Sequence, residues 1–149
     1  NASGINDGAA ALVMMDAAAA EKAGIKPLAR LVDYAHAAVD PSEMGIGPVP
    51  AVKRLLDRTG LSIADMDVIE SNEAFAAQAC AVAQDLGFPA EKTNPNGGAI
   101  ALGHPVGATG AILTVKAIYE LQRTGGRYGL VTMCIGGGQG IAGIIEAVA

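Results

Sequence analysis

Apolar residues fall along this chain in short runs broken by glycine, proline or charge, and the period of each run assigns an element. Gly8 to Met15, "GAAALVMM", is an unbroken apolar run suited to a buried strand. Asp16 to Gly24, "DAAAAEKAG", has an aspartate cap and a closing glycine that predict a short helix. After Pro27, "LARLVDYAHAAV" predicts a second strand. Pro48 to Thr59 opens on prolines, carries Val52, Leu55 and Leu56 at helical spacing and stops before Gly60, so a helix is expected there. Asp67 to Asn72, "DVIESN", reads as a short strand running straight into a helix, "EAFAAQACAVAQDLG", that ends at Gly87. Ile112, Val115, Ile118, Tyr119 and Gln122 mark a further helix over Ala108 to Arg123, and "RYGLVTMCIGGGQGIAGIIEAV" reads as two β segments joined by a glycine turn. Strands that alternate with helices and finish on a hairpin predict an α/β layered domain with a mixed sheet.

Composition narrows the setting. The 149 residues suffice for one domain with a sizeable core and are too few for two ordinary ones. Only 17% are charged and 3% aromatic, while alanine and glycine abound, so backbones pack closely and part of the surface is expected to lie hidden against something else. A net charge of −5 excludes the broad basic footprint of a nucleic-acid or anionic-membrane binder. Two cysteines, Cys80 and Cys134, fit a reducing compartment, and a cytoplasmic location is expected. Every apolar run is broken well short of the roughly 18 residues that a membrane helix needs.

The densest candidate for chemistry is "NPNGGAIALGHPVGATG", Asn94 to Gly110, a glycine-rich bend ahead of a helix that holds one of only two histidines. Such a bend could cradle phosphate, but "GHPVGATG" lacks the lysine and hydroxyl that end a P-loop. The G-x-G-x-x-G spelled by Gly138 to Gly143 is followed by no helical pattern, which excludes a dinucleotide site. His36, Cys80, His104 and Cys134 contain none of the close-spaced pairs of a zinc site, so no metal is expected. Polar groups at element ends remain. Asn72 is a site residue or simply a helix cap. His104, between Gly103 and Pro105, is a proton-transfer group or a partner for a loop carbonyl. Cys134, ahead of Gly136, Gly137 and Gly138, is a reactive thiol or a small core residue. Cys80 reads as core and His36 as surface or loop.

Four stretches together go further: "NASGINDGAAA" (Asn1 to Ala11), "NEAFAAQ" (Asn72 to Gln78), the Asn94 to Gly110 bend, and "CIGGGQG" (Cys134 to Gly140). In wording and order they closely resemble the C-terminal half of the thiolases, the acetyl-CoA acetyltransferase or β-ketothiolase family. The resemblance implies that residues 1–149 form a thiolase C-terminal domain, a βαβαβαββ half with a mixed five-stranded sheet covered by helices. It implies pairing with an N-terminal half, outside this sequence, in an αβαβα layered enzyme that forms homodimers or homotetramers.

The resemblance also implies a chemistry: reversible Claisen condensation of acyl-CoA with acetyl-CoA, or thiolysis of 3-oxoacyl-CoA, as in fatty acid metabolism. Coenzyme A thioesters are then substrates, with no further cofactor. Cys134 becomes the acid/base at the α-carbon, His104 with a water held by Asn72 the oxyanion site for the enolate, and the Gly136 N–H a donor of a second oxyanion hole. Ser3 matches a contact to the pantetheine arm, and Ala74 and Phe75 the wall beside the thioester. The acylated cysteine belongs to the other half, so residues 1–149 alone are expected to be inactive. Two alternatives stand beside this reading: a β-ketoacyl synthase-type condensing enzyme, whose family resembles a Cys-His-His set instead, and a non-catalytic acyl-CoA or lipid-binding module of the same fold.

Overall fold

A computed structural model describes residues 1–148. The regular elements are α1 (Ala17–Lys22), β1 (Ala29–Ala38), α2 (Pro48–Thr59), β2 (Val68–Ser71), α3 (Ala76–Leu86), α4 (Ala99–Leu102), α5 (Thr109–Thr124), β3 (Tyr128–Ile135) and β4 (Gln139–Ala147). Helix ends fall where local chemistry puts them. Asp16 Oδ1 accepts from the Ala18 and Ala19 N–H groups at the start of α1, and α2 runs from a proline at its first turn to Gly60 in the left-handed region. The helix expected to follow β2 directly starts instead at Ala76, because Asn72 to Phe75 form a turn between strand and helix.

The sheet has the order β1-β4-β3-β2, with β2 parallel to β3 and the other pairs antiparallel, so it is mixed as expected. Adjacent strand residues face opposite sides. Ile69, Leu130 and Ile144 pack with Val52 and Leu55 of α2 and Val82 of α3, while Val68 and Ile145 pack with Ala117, Ile118 and Leu121 of α5. The result is a helix–sheet–helix sandwich with an apolar cluster on each face of the sheet. No helix among the described residues is long and apolar enough to cross a membrane.

Two expectations are corrected. The sheet has four strands rather than five, and beyond β2 the chain contributes a single parallel bridge, Thr93 to Ile69. Asn94 then turns away with φ +47° and Pro95 follows, so the extended run stops after one residue. The run Gly8 to Met15 is no strand. It has no regular structure, and Val13 and Met14 are 89% and 72% exposed. A strand exists only by pairing, and among the described residues no sheet edge reaches this run. The βαβαβαββ pattern therefore lacks its opening strand. Cys80 is corrected too: it lies exposed on α3 rather than in the core, whereas His36 is exposed on β1 as expected.

Side chains close the remaining irregularities. Arg54 and Arg58 of α2 donate to the carbonyls of His36 and Tyr34 in edge strand β1 at 2.9 and 3.2 Å, occupying acceptors that another strand could use. On the α5 face, Lys116 Nζ bonds both Glu70 Oε2 (2.7 Å) and the Gly97 carbonyl (2.6 Å). Asn96 Nδ2 donates to Glu120 Oε2 at 2.8 Å, so α5 holds the Asn94–Gly97 turn at two points. Burial raises the pKa of Glu70, and the Lys116 ammonium works against that rise.

Where α2 begins, no side chain intervenes at all. A Cβ on Gly47 would strike the carbonyl of Gln139, and one on Gly140 would strike the backbone of Gly47. We predict that Gly140→Ala destabilises the protein by about 1–3 kcal/mol in urea unfolding. Gly143→Ala, in the same strand but with only ordinary contacts beyond 3.8 Å, should stay within about 0.5 kcal/mol. Glu120 supplies a second test. Hydrogen bonds from Arg123 and then Asn96 lower its pKa from 4.5 to about 2. Its charge therefore stabilises the fold above the unfolded-state pKa, and that contribution is lost as pH falls through 4.5 toward 2. The stability gap between wild type and Glu120→Gln should narrow over that interval in denaturation curves; a constant gap would refute the assignment.

Candidate active site

The candidate site forms where three irregular segments meet at one end of the sheet. The first is the turn Asn72 to Phe75. The β2–β3 pairing continues one residue past β2, with the Asn72 N–H bonded to the Thr132 carbonyl at 3.0 Å, which leaves the Asn72 side chain only 1% exposed. The second is the bend that carries His104, and the third is the segment Asn1 to Asn6.

Asn1 to Asn6 straps the other two together. Ala2 bridges Phe75, the Ser3 N–H and Oγ both donate to the Ala74 carbonyl at 3.0 and 3.1 Å, and the Ala76 N–H donates to the Asn1 carbonyl at 2.8 Å. Further along, Ile5 bridges His104, whose backbone N–H donates to Asn6 Oδ1 at 3.0 Å. Gly103 has φ +100° with Asn6 against it, a conformation and a space that exclude a side chain. Ser3, Ala74 and Phe75 are thus neighbours, with Ala74 buried and Phe75 half exposed.

A second brace joins the turn to the bend from beneath. Asn94 Oδ1 accepts from the Ser71 N–H (2.9 Å), and its Nδ2 donates to the Ser71 carbonyl (2.8 Å) and to Glu73 Oε1 (3.2 Å). Glu73 Oε2 in turn accepts from the Ile100 N–H at the start of α4 (3.0 Å). A Cβ on Gly98 would overlap the Glu73 carboxylate, so a larger residue there would displace that carboxylate from Asn94 and Ile100.

These braces bring Asn72 and His104 together. Asn72 Nδ2 lies 3.4 Å from His104 Nε2, and Asn72 Oδ1 is buried with no partner among the described residues. The other ring nitrogen, Nδ1, lies 2.7 Å from the hydroxyl of Thr109, which also reaches the Pro105 carbonyl at 3.0 Å. An imidazole held at both nitrogens, beside a buried carboxamide, can accept a proton and donate a hydrogen bond in a fixed direction.

Cys134 stands two residues beyond Thr132, the residue that holds the Asn72 backbone, and is half-buried near the end of β3. Burial pushes its thiol pKa above the ordinary value. No hydrogen bond among the described residues joins it to Asn72 or His104; the sheet alone sets its place. Gly136 lies in the turn that follows, with open space where a side chain would be, and Gly138 is pinned by the Val39 N–H donating to its carbonyl at 2.7 Å. Among the described residues no group of acidic, histidine or cysteine side chains could hold a metal ion. Sequence reasoning singled out none of the supporting residues Asn6, Glu73, Asn94 and Thr109. All four lie inside the quoted stretches, and the five-residue step from His104 to Thr109, across the start of a helix, was the available signal.

Residues 25–147 match the family description "Thiolase, C-terminal domain". The chain is 68% identical over 148 residues to the beta-ketothiolase BktB of Cupriavidus necator, covering 99% of this chain and 38% of that protein. It is 59% identical over 146 residues to an acetyl-CoA acetyltransferase of Escherichia coli, covering 98% of this chain and 37% of that one. The crystal structure of the Bacillus anthracis acetyl-CoA acetyltransferase superposes with a TM-score of 0.98 at 51% identity, over 99% of this chain and 38% of that one. The chain therefore spans less than two fifths of the length of these relatives, and over that span its fold and sequence place it in the thiolase family.

Proposed function

We propose that this chain is the C-terminal catalytic half of an acyl-CoA C-acyltransferase that runs reversible Claisen condensation or thiolysis. The Asn72–His104 pair at 3.4 Å, formed between the turn after β2 and the bend before α5, beside the strand that carries Cys134, is the observation that carries this reading. The names of its relatives, ketothiolase and acetyl-CoA acetyltransferase, agree with it. In this reading the substrates are coenzyme A thioesters, no further cofactor takes part, and the acylated cysteine lies in an N-terminal half of the same enzyme.

Each residue then has a task set by its chemistry. A thioester α-carbon is a weak acid, so the base that deprotonates it must be strong and the enolate oxygen must be held as charge develops. Burial raises the Cys134 pKa, which makes its thiolate the more basic and keeps the thiol protonated, ready to return the proton in cleavage. A water held by Asn72 and the protonated Nε2 of His104 receive the enolate oxygen. The Gly136 N–H serves the tetrahedral state on the acylated cysteine, in a turn whose lack of side chains lets a substrate approach. Ser3 faces the pantetheine arm, and Ala74 and Phe75 wall the thioester; the backbone contacts among these three support their acting as one surface. The exposed apolar run Leu12 to Met15 supplies surface for the N-terminal half to cover.

The test is α-proton exchange of acetyl-CoA in deuterated water with the full-length enzyme. Cys134→Ser should lower exchange by about 10²–10⁴-fold while acylation of the nucleophilic cysteine is largely retained. Exchange at the wild-type rate would return Cys134 to a packing role. Residues 1–149 alone should show no turnover in the same assay.

A further inference from the structure

Thr109 takes no part in the reaction just described, yet its hydroxyl makes the shortest contact to the imidazole at its centre. It is 3% exposed and opens α5 five residues after His104. Three contacts form one line: Asn72 Nδ2 to His104 Nε2 at 3.4 Å, His104 Nδ1 to Thr109 Oγ1 at 2.7 Å, and Thr109 Oγ1 to the Pro105 carbonyl at 3.0 Å. A carbonyl can only accept and the carboxamide nitrogen can only donate, so both ends of the line have fixed polarity. A neutral imidazole carries one proton and a hydroxyl carries one. Every contact becomes a hydrogen bond only when Thr109 donates to Pro105, Nδ1–H donates to Thr109, and Nε2 accepts from Asn72. With the ring proton on Nε2 instead, two donors would face each other across the Asn72 contact.

We infer that Thr109 is a positioning residue that holds neutral His104 as the Nδ1–H tautomer, leaving Nε2 as the proton-free nitrogen that can act as a base. The inference deepens the acyltransferase reading, and its kinetic arm rests on that reading. The proton balance is complete without another reactant. The nucleophilic thiol gives its S–H proton to Nε2, and its sulfur attacks the thioester carbonyl of an acyl-CoA. When the bond from that carbonyl to the coenzyme A sulfur breaks, the departing thiolate takes the proton back from Nε2. Nδ1–H stays with Thr109 throughout, so the ring does not turn over between the two transfers. Thr109 suits the task because a β-branched side chain in a helix has few χ1 choices and because its own backbone is fixed in the first turn of α5. Asn6 holds the His104 backbone N–H, so Thr109 has only the ring to orient.

The experiment is nitrogen-15 NMR of the histidine-labelled full-length enzyme, with His104 assigned by the signals that His104→Asn removes. Wild type and Thr109→Ser should both show Nδ1 in the protonated range and Nε2 in the proton-free range. Thr109→Val should give a mixture of tautomers and slow acylation of the nucleophilic cysteine about 10- to 100-fold, the scale on which partners that orient a catalytic imidazole act. Its KM for acyl-CoA should stay within about two-fold. A proton-free Nδ1 in wild type, or an unchanged tautomer in Thr109→Val, would overturn the inference. Should Thr109→Val fail to fold, the spectra of wild type and Thr109→Ser decide the tautomer by themselves. The spectra need no substrate, so the predicted tautomer in an enzyme that turns over no acyl-CoA would uphold this inference and refute the acyltransferase reading.

Discussion

The carboxamide of Asn94 bonds both the N–H and the carbonyl of Ser71, as the backbone of a neighbouring strand would. Much of the site geometry depends on that substitution of side chain for strand. It satisfies the edge of β2 away from β3 after a single bridge from Thr93, so the sheet can stop at this point without orphaned backbone groups. With β2 closed off, the chain is free to turn at Asn72 to Phe75 instead of continuing along the sheet. The same amide nitrogen reaches Glu73, and Glu73 caps α4, so the bend that carries His104 is tied to the turn that carries Asn72.

Electrostatics then keep the bend in place from the other side. Lys116 and Glu120 of α5 hold Gly97 and Asn96, and each is itself matched by an opposite charge, Glu70 and Arg123. The arrangement sets two ion pairs against the Asn94–Gly97 turn on its α5 side.

How much of this was legible in the sequence varies with how local its cause is. The bounds of α2 follow from Pro48 and Gly60 and need no knowledge of the rest of the chain. Gly8 to Met15 misled because an apolar run states that burial is wanted but not where the partner lies, and no partner for it lies among the described residues. Cys80 misled for a related reason: alanine-rich helices look buried all round, yet α3 leaves one face open. At the site, the identities of Asn72, His104 and Cys134 stood out through their places at element ends, the last two beside glycine or proline, and through resemblance. Their supports did not. A glutamate, two asparagines and a threonine are ordinary loop and helix-start residues, and only the fold reveals that Glu73, Asn6, Asn94 and Thr109 converge on one imidazole and one turn.

The close approach of Gly47 to Gly140 has an evolutionary side. Contacting residues ordinarily drift together, because a larger side chain on one partner can be offset by a smaller one on the other. Here neither partner has anything left to give up, since backbone meets backbone. A substitution at either position meets no compensating change at the other, so the two sites are constrained singly and share no record of being neighbours. Methods that recover contacts from paired substitutions would be blind to this junction between α2 and β4, although it is among the tightest in the molecule.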